Sequence, residues 1–457
     1  MSREQKVKAV PQENKMGTMP VGSLLLTMAL PMMASMMVQA LYNIVDSIFV
    51  AMLSEDALTA VSIAFPMQNL MIAVASGIGV GMNALLSRRL GEGKPEEANT
   101  AAKNGIFIYV IAYLLFLLIG ACAVRPFLQA QTDIDSILNY GVQYLSIVTM
   151  CSFGMFCQMC FERLLQSTGK TFYSMITQGT GAIINIILDP IMIFGLFGFP
   201  KLGIAGAAIA TVTGQVCAGL LAIFFNTRKN KEIHLNFRGF RPALVIIRTI
   251  LFVGIPSILM VAIGSIMTFG MNKILMAFTS TAVAVYGAYF KLQSFVFMPI
   301  FGLNNGMIPI IAYNYGARKK ERIMKTIKLS IVMAVGIMMI GLAVFQFCPA
   351  LLLGMFNASA QMMEIGIPAL RIISISFLFA GYSVVSSSIF QAFGNGLWSL
   401  TVSFMRQLVV LLPLAYLMSR TGNIIMVWIS YPIAEIMSVC ICTFFLLRTY
   451  RTIISRL

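Results

Sequence analysis

Residues 21–50 read VGSLLLTMALPMMASMMVQALYNIVDSIFV, an apolar run whose only charge is Asp46. A bilayer core takes about 17–25 helical residues to cross, so this run predicts a transmembrane helix with length to spare. Pro31 stands near its start. It deprives the helix of a backbone hydrogen bond and predicts a bend there. Asp46 follows Tyr42 by one turn, so both lie on one face. An ionised carboxylate in hydrocarbon is costly and calls for a partner. The fold then turns on whether such runs recur, and the function on what Asp46 meets.

Working outward, comparable runs fall at 21–50, 57–86, 101–123, 136–159, 169–194, 203–226, 243–272, 283–311, 327–348, 363–389, 397–418 and 424–447. They predict an all-α membrane protein of twelve transmembrane helices. Only 11% of the chain is charged and 59% is hydrophobic, where a soluble domain carries roughly 25% charge. The net charge of +16 would suggest nucleic acid in a soluble chain. Here the basic residues sit in short loops, so they report topology and no nucleic-acid partner is expected. Of 32 Lys and Arg, 25 fall on one side, Arg163 and Lys170 among them. Four (Arg125, Lys201, Lys273, Arg420) fall on the other, and Lys291, Arg371 and Arg406 lie within apolar runs. That bias predicts a multi-pass chain in a lipid bilayer with both termini cytoplasmic. The first 20 residues are polar and basic, so no cleavable signal is expected.

The chain also repeats itself. A shift of 225 maps Pro31 to Pro256, Gln68 to Gln293, Gly77 to Gly302, Gly81 to Gly306, Gly91 to Gly316 and Gln166 to Gln391. In the last helix of each half the shift is 220 and pairs Gln215 with Glu435. The reading is two pseudo-symmetric six-helix bundles in a parallel repeat. The predicted parts are a cytoplasmic tail at 1–20, an N-lobe at 21–226 and a basic linker at 227–242. A C-lobe at 243–457, with a short cytoplasmic C-terminal tail, completes them. Two bundles meeting in a bilayer leave a cleft, and rocking them exposes it to either side.

Of the 16 acidic residues most lie in tails or loops, and Glu162 and Glu364 read as helix-end residues. Asp46, Asp189 and Glu435 remain within spans. Asp189 follows Asn185 by one turn. Asp46 and Asp189 both come about 15–18 Å in from the outer loops. If their helices pack together, Tyr42, Asp46, Asn185 and Asp189 form one polar cluster. Two carboxyls buried together can share a proton and release it when the cleft opens. With amide and carbonyl oxygens beside them, they can hold Na⁺ instead. The second half has Met271 or Asn272 opposite Asp46, and no acid opposite Asp189. It carries Lys291, Arg406 and Glu435, a candidate C-lobe polar cluster in which Arg406 and Glu435 form a buried pair, structural or functional. The ion site is therefore expected in one half only.

The 34 methionines favour a permissive cavity for amphipathic small molecules. Met32, Met33, Met36, Met37, Met150, Met155 and Met159 are candidates to line it. Ser167–Thr171 resembles the end of a nucleotide-binding loop, but Leu164 replaces the required first glycine. Gly77-x-Gly79-x-Gly81 lies in a span and reads as close helix packing. The lone histidine, His234, is in a basic loop, and Cys157-x-x-Cys160 has no second pair. No metal site, cofactor or enzymatic activity is expected.

Several motifs resemble the multidrug and toxic compound extrusion (MATE) family, and the general look is of its MepA-like bacterial branch. They are Leu30-Pro31, Leu41–Asp46, Asn185–Pro190, Gly203–Ala208 and Pro309-x-x-Ala312-Tyr313-Asn314-Tyr315-Gly316. The resemblance covers nearly the whole chain. It implies antiport of organic cations or other amphipaths against H⁺ or Na⁺ in the bacterial plasma membrane. It implies an ion site at Tyr42, Asp46, Asn185, Asp189 and Thr211. Members with a second-lobe cation site carry acids in the seventh and eighth helices, where this chain has Gly264 and Lys291. The full reading is a monomeric secondary-active efflux antiporter, with H⁺ preferred to Na⁺ as coupling ion. A lipid-linked saccharide flippase of the wider superfamily and a non-transporting membrane scaffold are the alternatives.

Overall fold

The computed structural model describes residues 14–457 except Asn357. Residues 1–13 of the expected tail, with Arg3, Lys6 and Lys8, lie outside the described residues. A short helix α1 (Lys15–Thr18) leads into α2 (Val21–Ala51), α3 (Glu55–Gly91), α4 (Pro95–Cys122), α5 (Val124–Gln129), α6 (Asp135–Met150), α7 (Phe153–Ser167), α8 (Thr171–Phe194) and α9 (Ile204–Lys229). The second half holds α10 (Leu244–Met276), α11 (Ser280–Gly316), α12 (Lys320–Phe347), α13 (Pro349–Gly354), α14 (Ala360–Ser374), α15 (Phe377–Ala392), α16 (Gly396–Phe404), α17 (Leu412–Ser419) and α18 (Ile424–Thr452). A π-helical turn, Met405–Leu411, joins α16 to α17 as one span. Among the described residues ten helices are long and apolar enough to span, and counting each of two bent pairs as one span makes twelve.

The 225-residue shift in sequence is also a shift in structure. It carries the bounds of α3, α4 and α5 onto those of α11, α12 and α13. The bent pairs correspond too: α6 meets α7 at 43° and α14 meets α15 at 51°. Even the caps repeat. The Ser54 hydroxyl accepts the Ala57 amide at 3.0 Å, and one repeat later the Thr279 hydroxyl accepts the Thr281 amide at 2.9 Å. Each satisfies a donor that a helix start leaves free.

Several expected spans were too short. The runs at 57–86 and 283–311 continue as helix to Gly91 and Gly316. Their terminal glycines stay helical because a partner helix is packed against them. The runs at 136–159 and 363–389 continue to Ser167 and Ala392. In the first case Glu162 and Arg163 were read as ending the span. Both are 6% exposed and partnered inside the protein, so the helix passes through them. α2 continues as one helix past Pro31, as α10 does past Pro256.

The bundles meet along α2 with α11 and α3 with α10. Small residues let these backbones touch. A methyl on Gly306 would lie 2.8 Å from the Ala29 Cα, and one on Gly77 would lie 2.7 Å from the Gly254 carbonyl oxygen. Both contacts fall in the helix halves nearest the basic loops. Farther from that end, the nearest neighbours of Gly264 and Gly270 are Gln407 and Leu412 of their own bundle. The halves are therefore closed at the basic end.

The segment before α2 crosses the same closed end. On one side Asn14 donates to the Thr168 carbonyl at 3.0 Å and to Glu232 at 2.6 Å, while Lys170 pairs with Glu232 at 3.2 Å. On the other, Arg322 donates to the carbonyls of Met16 and Met19 at 2.9 and 2.7 Å, and Lys319 to that of Gly17 at 2.9 Å. Met16 is fully buried between them. Burial and the nearby Lys170 ammonium hold the Lys15 ammonium below its ordinary pKa, against the pull of Glu232.

Candidate functional site in the first bundle

Two clusters of polar side chains lie within the first bundle, where α2 packs on α8 and α8 on α9. The first joins residues far apart in sequence. Asp46 on α2 and Asp189 on α8 lie close enough for each carboxyl to act on the other. Asp189 is fully buried, and Asp46 is partly buried with its Oδ1 sealed from solvent. Asn185 is oriented so that its amide nitrogen donates to Asp189 Oδ2 at 3.2 Å. Its oxygen then accepts from the Thr211 amide at 3.1 Å and hydroxyl at 3.2 Å. The Tyr42 and Tyr144 rings stand close enough to feel both carboxyl charges. The structure thus brings Tyr42, Asp46, Asn185, Asp189 and Thr211 together.

The geometry follows from local sequence. Gly181 and Gly214 let α8 and α9 touch backbone to backbone, since a methyl on Gly214 would lie 2.6 Å from the Gly181 carbonyl oxygen. That approach puts Asn185, one turn beyond Gly181, against Thr211. Tyr144 was not singled out from sequence. It is buried, and its hydroxyl accepts from Gln68 Nε2 at 3.1 Å.

The second cluster lies nearer the basic end and lines a cavity of about 120 Å³. Met32, Met36, Met155 and Met159 give it apolar walls, and Gln39, Gln158, Gln178 and Gln215 give it amide groups. Asn185 and Thr211 also border it, so the cavity touches the acidic cluster. Its floor carries Glu162 and Arg163. Glu162 accepts from Thr177 at 2.9 Å and from Gln158 at 3.0 Å. Arg163 Nη1 donates to Gln166 Oε1 at 2.9 Å and, across the seam to α11, to Asn305 Oδ1 at 2.8 Å.

The family model MatE matches this chain twice, at residues 31–191 and again at 256–417. The chain belongs to the MatE family. It is 29% identical over 412 residues to the multidrug export protein MepA of Staphylococcus haemolyticus, covering 89% of each chain. It is 25% identical over 433 residues to a FAD transporter of Shewanella oneidensis, covering 93% of this chain and 94% of that one. Its fold matches that of a multidrug resistance MATE family transporter, solved in an outward-facing conformation, with TM-score 0.91 and 24% identity. That match covers 98% of this chain and 99% of the other.

Within this MatE chain the second bundle is built differently. Arg406 Nη1 meets Glu435 Oε1 at 2.8 Å, with side chains 22% and 12% exposed. Lys291 is exposed on α11 and takes no part in that pair, so the expected three-residue cluster reduces to two. One face of α11 is buried against its neighbours, and Lys291 lies off it. Met271, opposite Asp46 in the repeat, is fully buried and apolar. In the surrounding core Tyr286 stacks on Tyr289 and on Trp428, and Tyr431 meets Tyr289 edge-on.

Glu162 and Arg163 are the residues that sequence reasoning misplaced. Their sequence context predicts a helix end for Glu162 and a basic loop for Arg163. The missed signal was the run of glutamines at one helical spacing, Gln158 and then Gln166 two turns on. Moving Arg163 out of the loops leaves the charge bias of the basic side intact.

Proposed function

We propose that this chain is a secondary-active multidrug efflux antiporter. It exports amphipathic and cationic organic compounds in exchange for H⁺, with Na⁺ the less favoured ion. The observation that carries this reading is the Asp46–Asp189 contact. Two carboxylates at that distance repel each other unless a proton or cation lies between them. A shared proton makes one the donor and the other the acceptor. Asn185 spends its amide hydrogen on Asp189 and its oxygen on Thr211, and so holds the pair in register. Na⁺ prefers more oxygen ligands, and Asn185's oxygen is already engaged with Thr211.

The cavity beside this pair is bordered by Asn185 and Thr211, so its occupant and the proton compete for one neighbourhood. Binding of one biases release of the other, which is the thermodynamic content of antiport. Closure at the basic end fits an outward-facing state. The charge bias favours cytoplasmic termini in a bacterial plasma membrane, and the chain is taken to act as a monomer without a cofactor. On the same reading residues 21–226 and 243–457 are the rocking lobes and 227–242 their linker. Pro31 is the bend through which α2 answers protonation of Asp46.

The test uses everted membrane vesicles carrying the full chain and an acridine pH probe. Adding ethidium should dissipate an imposed proton gradient. Asp46→Asn and Asp189→Asn should each abolish the response. Normal ethidium-driven proton movement in both variants would refute the carboxylate mechanism.

A further inference from the structure

Arg163 is 6% exposed, inside the membrane-spanning region, and carries a full positive charge. Such a charge is costly without compensation. Its two hydrogen bonds go to neutral amides, Gln166 and Asn305, both through Nη1. The adjacent acid, Glu162, is turned to Thr177 and Gln158 instead. Among the described residues no carboxylate lies within ion-pair distance of Arg163, although Glu162 is near enough to act on its charge, and its Nε and Nη2 make no hydrogen bond. Gly79 makes room for this arrangement, since a methyl there would lie 2.9 Å from Nε. The side chain borders the cavity.

We propose that Arg163 is an anion-recognition point, taking the carboxylate of an amphipathic substrate on its free Nε and Nη2 edge. This goes beyond the efflux reading and rests on it for the presence of a substrate. A guanidinium edge matches a carboxylate through two parallel hydrogen bonds. The cavity of about 120 Å³ holds roughly four waters' worth of space. It admits one small acidic group while the apolar body lies along Met32 and Met36. Arg163 is the one cation among the described residues that line it. Glu162 borders the same cavity but gives its oxygen to Thr177 and Gln158, which leaves the guanidinium edge open to a ligand's carboxylate.

The same site reaches across the seam. Asn305 belongs to α11, and its bond to Nη1 ties the bundles together beneath the cavity. A carboxylate that draws the guanidinium toward itself competes with Asn305. Occupancy is thereby linked to loosening of the closed end.

A matched pair of dyes tests this. Rhodamine 110 has a free carboxyl group, and rhodamine 123 is its methyl ester. Fluorescence polarisation on the full chain in lipid nanodiscs should show tighter binding of the acid. Arg163→Gln should weaken the acid by about tenfold or more, the scale of a lost charged hydrogen bond, and leave the ester within about twofold. Asn305→Ala, which frees the guanidinium from its tie to α11, should tighten the acid and not the ester. A general packing role for Arg163 would weaken both dyes together. Equal loss of both dyes, no loss of either, or a wild type that fails to prefer the acid would each overturn the proposal. In that case ester-driven proton movement in vesicles would still stand for the efflux reading. Its absence would sink that reading separately.

Discussion

Gly91 lies against the carbonyl oxygen of Tyr313, and one repeat later Gly316 lies against the carbonyl oxygen of Arg88. The two contacts are the same contact related by the pseudo-symmetry, since Tyr313 is the counterpart of Arg88. Both cross from one bundle to the other at the basic end. A side chain at either glycine meets a backbone that cannot rotate away. Gly316→Val should therefore oppose closure of this end by about 1–3 kcal/mol, the usual cost of overpacking. Because the strain exists only when the seam is shut, it shifts the conformational balance toward the state open at that end. Spin labels on the loops after α3 and α11 should report a longer mean distance than in the parent. Dye efflux should fall while the variant still elutes as a folded monodisperse protein. An unchanged distance distribution would mean that the seam does not open by separation of these helices.

The turn after each of these helices holds a second matched pair. Gly93 adopts φ of 71°, and its counterpart Arg318 adopts φ of 55°. Glycine takes the left-handed region freely, but an L side chain there is strained. Arg318 is exposed. Arg318→Gly should relieve about 1 kcal/mol in the folded state, partly offset by the greater freedom of the unfolded chain. A thermal melt in detergent should show a small rise in midpoint. A fall would mean that the Arg318 side chain makes up for its backbone strain.

Glu92 sits at the end of α3, outside the membrane. Burial alone would raise its carboxyl pKa. Arg89 and Arg88, at 2.7 and 3.0 Å, outweigh burial and hold it below the ordinary 4.5. Stabilisation from a depressed acid is fully present above its unfolded value and is lost as pH falls through the folded value. Glu92→Gln should thus cost about 0.5–1 kcal/mol at neutral pH, as befits partly exposed ion pairs. The gap between parent and variant should hold steady above pH 4.5 and close below it. Melting midpoints of both proteins measured across that range would show a pH-independent gap if the arginines contribute nothing.

Much of this was legible in the sequence because bilayer physics is written in one dimension. Apolar run length, loop charge and the Gly77/Gly302 and Gly81/Gly306 matches each report directly on spans, topology and repeat. The partnership of Asp46 with Asp189 was also within reach. Each is an acid inside an apolar run, and both come at similar depth. Glu162 and Arg163 were not legible, because charge near a helix end usually means water. Only the tertiary arrangement supplies Thr177 and Asn305, from α8 and α11, to hold them inside. The assignment of Lys291 to a cluster failed for a related reason. Sequence places a residue along a helix more securely than around it when every face is apolar.

The Arg406–Glu435 pair invites a cycle of substitutions, because desolvation and attraction nearly cancel for such pairs. Arg406 lies in the π-helical turn Met405–Leu411, which precedes Pro413. A wider turn there accommodates the hydrogen bond that proline cannot donate. Glu435→Gln alone leaves a guanidinium without its charge partner, at a cost of about 3 kcal/mol or more. Replacing both, with Arg406→Met and Glu435→Leu, removes the two desolvation penalties together. The double variant should recover most of the lost melting midpoint, although each single variant is clearly destabilised. It should also retain dye efflux at near the parental rate, since the acids proposed to move the proton lie in the other bundle. Additive loss in the double variant would show that the π turn itself depends on Arg406. Recovered stability with abolished efflux would instead assign the pair a part in transport.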